Sequence, residues 1–302
     1  MTDAPILLKD AVPYIRLYKG KTFVVKAGGR VVARPETLNA LIEDVCMLQQ
    51  VGVRVVLVHG GGPQASALSR KLGVEPTMID GRRVTDAQAL EVAKMVYAGS
   101  LNTDILAAFR AHQTKAIGVS GVDAGIVTAK KRAPTPVDYG FVGDIESVDP
   151  SALELLLSNA ITPVVACLGA DESGQVLNIN ADSVAEAVAR ALKAEKLVIV
   201  TDTEGLLRDV ANPGSLVSYA DVDEVLKLKS EGRLSGGMLP KVQACLSALK
   251  GGVRRTHIIN GLKPGALQRE VFTNAGCGTM IVEKRERQSY QQAELEPEAV
   301  AA

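Results

Sequence analysis

Val53–Gln64, VRVVLVHGGGPQ, decides how the chain folds. Its first half is an apolar, β-branched run with no polar alternation. That is how a parallel strand covered on both faces reads. Gly60, Gly61 and Gly62 then remove every Cβ where the chain leaves the strand, so backbone N–H groups can approach an anion closely. PQASALSRKLG continues as a helix with Pro63 in its first turn. A glycine turn thus lies between the carboxyl end of a strand and the amino end of a helix, where open α/β sheets bind phosphates and carboxylates. The cluster also serves as a plain tight turn, and by itself it does not choose between the two. No Gly-Lys-Ser/Thr follows, so this is not a Walker loop, and the spacing is not GxGxxG.

Working outward, Thr22–Ala27 (TFVVKA) is a second apolar strand that runs into Gly28 and Gly29. Lys26 at its end is either a surface lysine or a phosphate ligand. Residues 35–51 form an amphipathic helix closed by Gly52. Thr85 or Asp86 can cap a helix over Ala87–Tyr97, and Arg83, just before it, is either solvated or placed to grip a carboxylate. A strand is expected over Ile161–Leu168. Asn178-Ile179-Asn180-Ala181-Asp182 leads into a helix, with Asp182 either its cap or a ligand-side group flanked by two amides. A further strand ends in Thr201-Asp202-Thr203-Glu204-Gly205. Lys241 stands near the start of a helix, against the macrodipole, as a cation there to meet an anion would. Strand–helix alternation throughout predicts an α/β, three-layer αβα sandwich on a mostly parallel central sheet. It reads as two lobes of one unit, about 22–175 and 176–283. The segment before them, residues 1–21, is a helix that Pro13 should kink or split. It either projects toward a partner or folds back. From 284 the tail reads as disordered.

Composition narrows the function. Lys plus Arg equals Asp plus Glu, at 34 each, and only 3% of residues are aromatic, with no Trp. Neither nucleic acid nor an anionic membrane surface is the expected partner. Cys46, Cys167, Cys245 and Cys277 form no CxxC pair, and His59, His112 and His257 have no ligand spacing. Buried free thiols, no direct metal site and a cytoplasmic setting are expected, with His59 a hydrogen-bonded structural residue.

Taken together, KAGG at 26–29, HGGGPQ at 59–64, GRRVTD at 81–86, NINAD at 178–182, TDTEGLL at 201–207 and GGMLPK at 236–241 resemble the amino-acid-kinase family. Within it they resemble the branch that phosphorylates the side-chain carboxylate of N-acetyl-L-glutamate with ATP, in arginine biosynthesis. The resemblance implies ATP and Mg²⁺, with the metal held by phosphate oxygens and water. It implies catalytic roles for Lys26 and Lys241, oriented by Asp182. Backbone donors would be Gly28, Gly29, Gly61 and Gly62, the last two also touching substrate. Arg83 and Asn178 would hold the N-acetylglutamate. Asp202, Thr203, Glu204, Gly205, Leu206, Leu207, Arg233, Leu234 and Ser235 would bind the adenosine part.

PYIRLYKGK at 13–21 resembles the extra helix of arginine-inhibited, hexameric members, in which that helix interlaces dimers. Tyr14, Glu270 and Gly276 are the implied arginine contacts. The chain departs from the usual pattern at Ala27, Arg30, Val122, Asn260 and Gly265. Alternatives are a kinase of the same fold acting on carrier-bound aminoadipate or glutamate, on carbamate or on a nucleotide, and a non-catalytic arginine-responsive regulator.

Overall fold

The computed structural model describes residues 7–79, 82–234 and 236–284. Gly81, Ser235 and the tail beyond 284 lie outside them. The chain opens with α1 (Leu8–Tyr18), β1 (Thr22–Ala27), α2 (Pro35–Gln50), β2 (Arg54–His59) and α3 (Gly62–Lys71). Next come β3 (Met78–Ile79), β4 (Arg82–Arg83), α4 (Ala87–Lys94), a π-helical turn at Met95–Ser100, α5 (Leu101–Ala111) and β5 (Ala116–Ser120). β6 (Val127–Lys131), β7 (Gly143–Val148), α6 (Ser151–Ser158), β8 (Thr162–Ala166), β9 (Leu168–Ala170) and β10 (Val176–Asn178) follow. The rest is α7 (Ala181–Ala191), β11 (Lys196–Thr201), β12 (Tyr219–Asp221), α8 (Val222–Ser230), α9 (Met238–Lys250), β13 (Arg255–Asn260), α10 (Ala266–Phe272) and β14 (Thr279–Val282).

Eight strands form one sheet in the order β12-β14-β13-β11-β1-β2-β8-β5. Every neighbouring pair is parallel except β13–β14. β1 and β11 are buried at every position, so their apolar runs cannot face water on either side. β1 pairs with β2 on one side and β11 on the other, with Ala27 opposite both His59 and Val200. The connection after β1 runs to β2, while the one after β11 runs the other way, toward β12 and β13, so a crevice opens at the carboxyl ends of β1 and β11. The loops beginning at Gly28, Gly60 and Asp202 all emerge there. His59 is fully buried and neutral, burial pushing its pKa down to about 4. Its Nδ1–H donates to Gly60 O (3.0 Å), so Nε2 accepts from Asn102 Nδ2 (3.1 Å). The histidine is structural, and it ties the glycine turn to α5.

Pro13 lies inside α1, which runs unbroken from Leu8 to Tyr18. Two local expectations need correction. The helix expected to reach Tyr97 ends at Lys94 and widens into the π-turn, where Gly99 adopts φ −107°, ψ −105°. The strand expected over Ile161–Leu168 breaks at Cys167: β8 belongs to the main sheet, while β9 joins a second sheet of order β10-β9-β6-β7.

α1 does fold back on the body. Tyr18 is buried, edge-on to Phe23 at 5.2 Å, with Lys196 Nζ 4.9 Å from its ring centroid. Tyr14 O–H donates to Asn274 Oδ1. Leu8 (74%) and Leu17 (53%) remain exposed on the same helix. Replacing a buried aromatic by alanine costs about 3–5 kcal/mol where the site cannot collapse. Tyr18→Ala should therefore lower the unfolding free energy by that order, read as a lower urea midpoint. An unchanged midpoint would mean that α1 does not contribute to the packed core.

Candidate active site

Asp182 stands between two lysines. Lys26 Nζ lies 2.8 Å from its Oδ1, and Lys241 Nζ 3.2 Å from its Oδ2. The backbone explains each placement. β1 is central, so its last lysine is held in a buried strand, only 6% exposed. α7 is capped by Asn180, whose side chain accepts from the N–H groups of Asp182 (2.8 Å) and Ser183 (3.3 Å). The cap expected of Asp182 is thus supplied two residues earlier, and the carboxylate is free to turn to the lysines. Lys241 projects from the first turns of α9, which carry no acidic residue.

Burial works against the ionised form of Asp182, but the two ammonium groups outweigh it and hold its carboxyl below the ordinary range. Lys241 is pushed down, first by burial and then by Lys26, with Asp182 opposing. One carboxylate against two ammonium groups leaves an excess positive charge facing the crevice.

A cavity of about 640 Å³ opens over this bridge. Lys26, Gly29, Gly61, Gly62, Arg83, Asn178, Asp182 and Lys241 all line it. Arg83 Nη2 donates to Gly62 O (2.9 Å) and Ser66 Oγ (2.5 Å), which anchors a guanidinium that has further N–H groups to offer. Asn178 Nδ2 donates to Thr85 Oγ1 (3.0 Å), joining β10 to the loop after Arg83.

Gly28 does not join the set as a donor. Its N–H is already given to Val200 O at 2.8 Å, and a Cβ there would lie 2.9 Å from the same oxygen. Gly28 is required by close packing on β11, which leaves the donor role to the later glycines.

The residues expected around adenosine lie past β11 and outside this cavity. Arg30 Nη1 bonds Asp202 Oδ2 at 2.7 Å, linking the first glycine loop to that segment. Thr203 follows Asp202 in the same loop. Glu204 accepts from Lys263 Nζ (2.7 Å) and Asn260 Nδ2 (3.1 Å). Gly205 has φ +137°, a conformation side chains rarely adopt. Leu206 is fully buried, its N–H given to Thr279 Oγ1 and its carbonyl to Val217 N–H, so it packs the core and offers a ligand nothing. Leu207 bridges Leu216. Arg233 is held by Glu231 and the Arg208 carbonyl, and Leu234 is buried.

Tyr14, Glu270 and Gly276 meet in a separate cavity of about 260 Å³. Lys196 Nζ donates to His257 Nε2 (3.0 Å), and His257 Nδ1–H donates to Glu270 Oε1 (2.7 Å). Glu270 also accepts from the N–H groups of Cys277 and Gly278. Burial alone would raise its pKa, but these donors hold it down at about 2. Burial and neighbouring Arg255 bring Lys196 down to about 7.

The match to known proteins agrees with this geometry. The model of the amino acid kinase family covers residues 21–260. The chain belongs to the amino acid kinase family. Within it, the chain is 46% identical over 286 residues to an acetylglutamate kinase of Symbiobacterium thermophilum, spanning 93% of this chain and 98% of that one. An acetylglutamate kinase of Myxococcus xanthus is 44% identical, over 91% and 93% of the two chains. Among solved structures, an N-acetylglutamate synthase of Neisseria gonorrhoeae, complexed with coenzyme A and N-acetyl-glutamate, superposes with a TM-score of 0.82 at 30% identity. It covers 91% of this chain, which spans 62% of the synthase. A second structure of that synthase holds coenzyme A and L-arginine, at TM-score 0.79 and 28% identity over 91% of this chain and 64% of the synthase.

Gly60, read as part of the glycine turn, also lines the larger cavity. Tyr97 and Cys167 line it too, and motif reading gave neither a role there. The placement of Tyr97 depends on the π-turn.

Asp182→Asn would leave two buried ammonium groups without a counter-charge, and breaking a buried pair costs about 3–5 kcal/mol. Since the folded-state pKa of Asp182 is depressed, its stabilisation is fully present above the ordinary aspartate value of about 3.9 and is lost as pH falls further. Denaturant titration should show the variant destabilised at pH 7, with the gap to wild type closing below about pH 4. A gap independent of pH would refute the charge explanation.

Proposed function

We propose that the chain transfers the γ-phosphoryl group of ATP to the side-chain carboxylate of N-acetyl-L-glutamate, a step of arginine biosynthesis in the cytoplasm. One observation carries this reading: Lys26, Asp182 and Lys241 form a single buried bridge beneath a cavity that Arg83 and Asn178 also line. The nucleophile is a carboxylate, ionised at neutral pH, so no general base is needed. The obstacle is bringing one anion up to another, and preorganised cations and N–H groups remove it.

In this mechanism Lys26 and Lys241 neutralise the equatorial oxygens of the moving phosphoryl group. Asp182 keeps both ammonium groups at fixed positions without touching substrate. Gly29, Gly61 and Gly62 supply backbone N–H donors. Arg83 and Asn178 receive the α-carboxylate and the amide, which favours a free amino-acid derivative over carbamate or a nucleotide. The segment from Asp202 to Leu207, with Arg233 and Leu234, would receive the nucleotide base and ribose. Leu206 there acts through the core. Mg²⁺ supplies charge neutralisation when it arrives with ATP. Its ligands would be phosphate oxygens and water, since Asp182 is already shared between two lysines.

The second cavity supports arginine feedback on the same enzyme. Glu270, held ionised, suits a guanidinium, and Tyr14 brings α1 into the same wall. The exposed leucines of α1 fit a helix that interlaces dimers into a hexamer.

The deciding assay traps the acyl phosphate as its hydroxamate. N-acetyl-L-glutamate should give product, and carbamate or carrier-bound aminoadipate should not. Lys241→Ala should cut kcat by about 10²–10³, the loss typical of one transition-state donor, while calorimetry still registers binding. Undiminished turnover in Lys241→Ala would sink the mechanism. A chain beginning at Lys21 should need a higher arginine concentration for half inhibition, and an identical inhibition curve would remove α1 from that role.

A further inference from the structure

Among the described residues, Tyr97 is the one aromatic side chain in the wall of the larger cavity. It is 4% exposed and stands on the π-turn Met95–Ser100. Such turns re-aim side chains within a helix and recur at functional sites. The ring lies directly on the second glycine turn: a Cβ added to Gly61 would fall 2.7 Å from Tyr97 Cδ1. Ring and glycine therefore fix each other. Arg83 lines the same cavity wall; burial raises the phenol's pKa, and Arg83 opposes it with a smaller effect. The phenol therefore stays protonated at neutral pH.

A guanidinium has donors only. Toward such a neighbour the Tyr97 oxygen can only accept, so the phenolic hydrogen is available to another partner. The group expected beside Arg83 is the substrate's α-carboxylate, an acceptor with several lone-pair sites. We infer that Tyr97 is a specificity-determining residue of this site, its hydroxyl donating to the same α-carboxylate that Arg83 receives. This rests on the phosphoryl-transfer reading above and adds to it a second donor for one end of the substrate.

The test compares N-acetyl-L-glutamate with 4-acetamidobutyrate, which keeps the reacting carboxylate and the acetamide but lacks the α-carboxylate. Tyr97→Phe preserves the ring against Gly61. It should raise KM for N-acetyl-L-glutamate at least tenfold, about 1.4 kcal/mol, with kcat within about twofold and KM for ATP unchanged. KM for 4-acetamidobutyrate should move little, so discrimination between the two compounds narrows. Calorimetric titration of both compounds without ATP should repeat the split independently of turnover. Equal losses on both compounds, or no loss on either, would overturn the inference, since a merely structural tyrosine cannot sense one carboxylate. Wild-type turnover of N-acetyl-L-glutamate in the same assay separates the two levels. Its absence overturns the functional reading and this inference together, whereas its presence beside an unaffected Tyr97→Phe overturns the inference alone.

Discussion

Two ammonium groups sharing one buried carboxylate are the constraint on which the rest of the molecule depends. Lys26 comes from β1, Asp182 from the start of α7 and Lys241 from the start of α9, three elements far apart in sequence. Left unpaired in a low-dielectric interior, each charge would be costly to bury. Together they are tolerated only if the strand and both helix termini meet within hydrogen-bond distance. The bridge therefore constrains packing as much as it serves chemistry. It also explains why α7 takes its cap from Asn180: the aspartate is needed elsewhere.

The sheet makes that meeting possible. With β1 at the point where connections diverge, its carboxyl end is flanked by the glycine turn after β2 and the polar loop after β11. An anionic ligand arriving there meets backbone N–H groups on one side and excess positive charge on the other. The second sheet contributes Asn178, tied through Thr85 to the loop that carries Arg83. Two separate segments that line the cavity are thereby joined by a hydrogen bond.

The smaller cavity obeys the same physics with different groups. Lys196, His257 and Glu270 form a donor chain in which burial keeps the histidine neutral and backbone N–H groups keep the glutamate ionised. α1 closes one side through Tyr14 and Tyr18. The helix that reads as either projecting or folding back is thus bound to the body along part of its length and keeps exposed leucines along the rest.

The strands, the glycine turns at their ends and the mostly parallel order were legible in the amino acids, because β-branched runs ending in glycine have few other uses. Lys26, Arg83, Asn178, Asp182 and Lys241 stood out as charged or amide residues at element ends, and the family resemblance, not the residues alone, implied their roles. Other features depended on contacts between remote segments. Gly28 gave its N–H to β11, and Leu206 turned into the core, because neighbours fixed only by the fold consumed their polar groups. Tyr97 reached the cavity through a π-turn that no hydrophobic period announces. Local sequence carries the preference for strand, turn or helix. Which side chains meet, and which donors are left for a ligand, is decided by distances between elements that only tertiary packing sets.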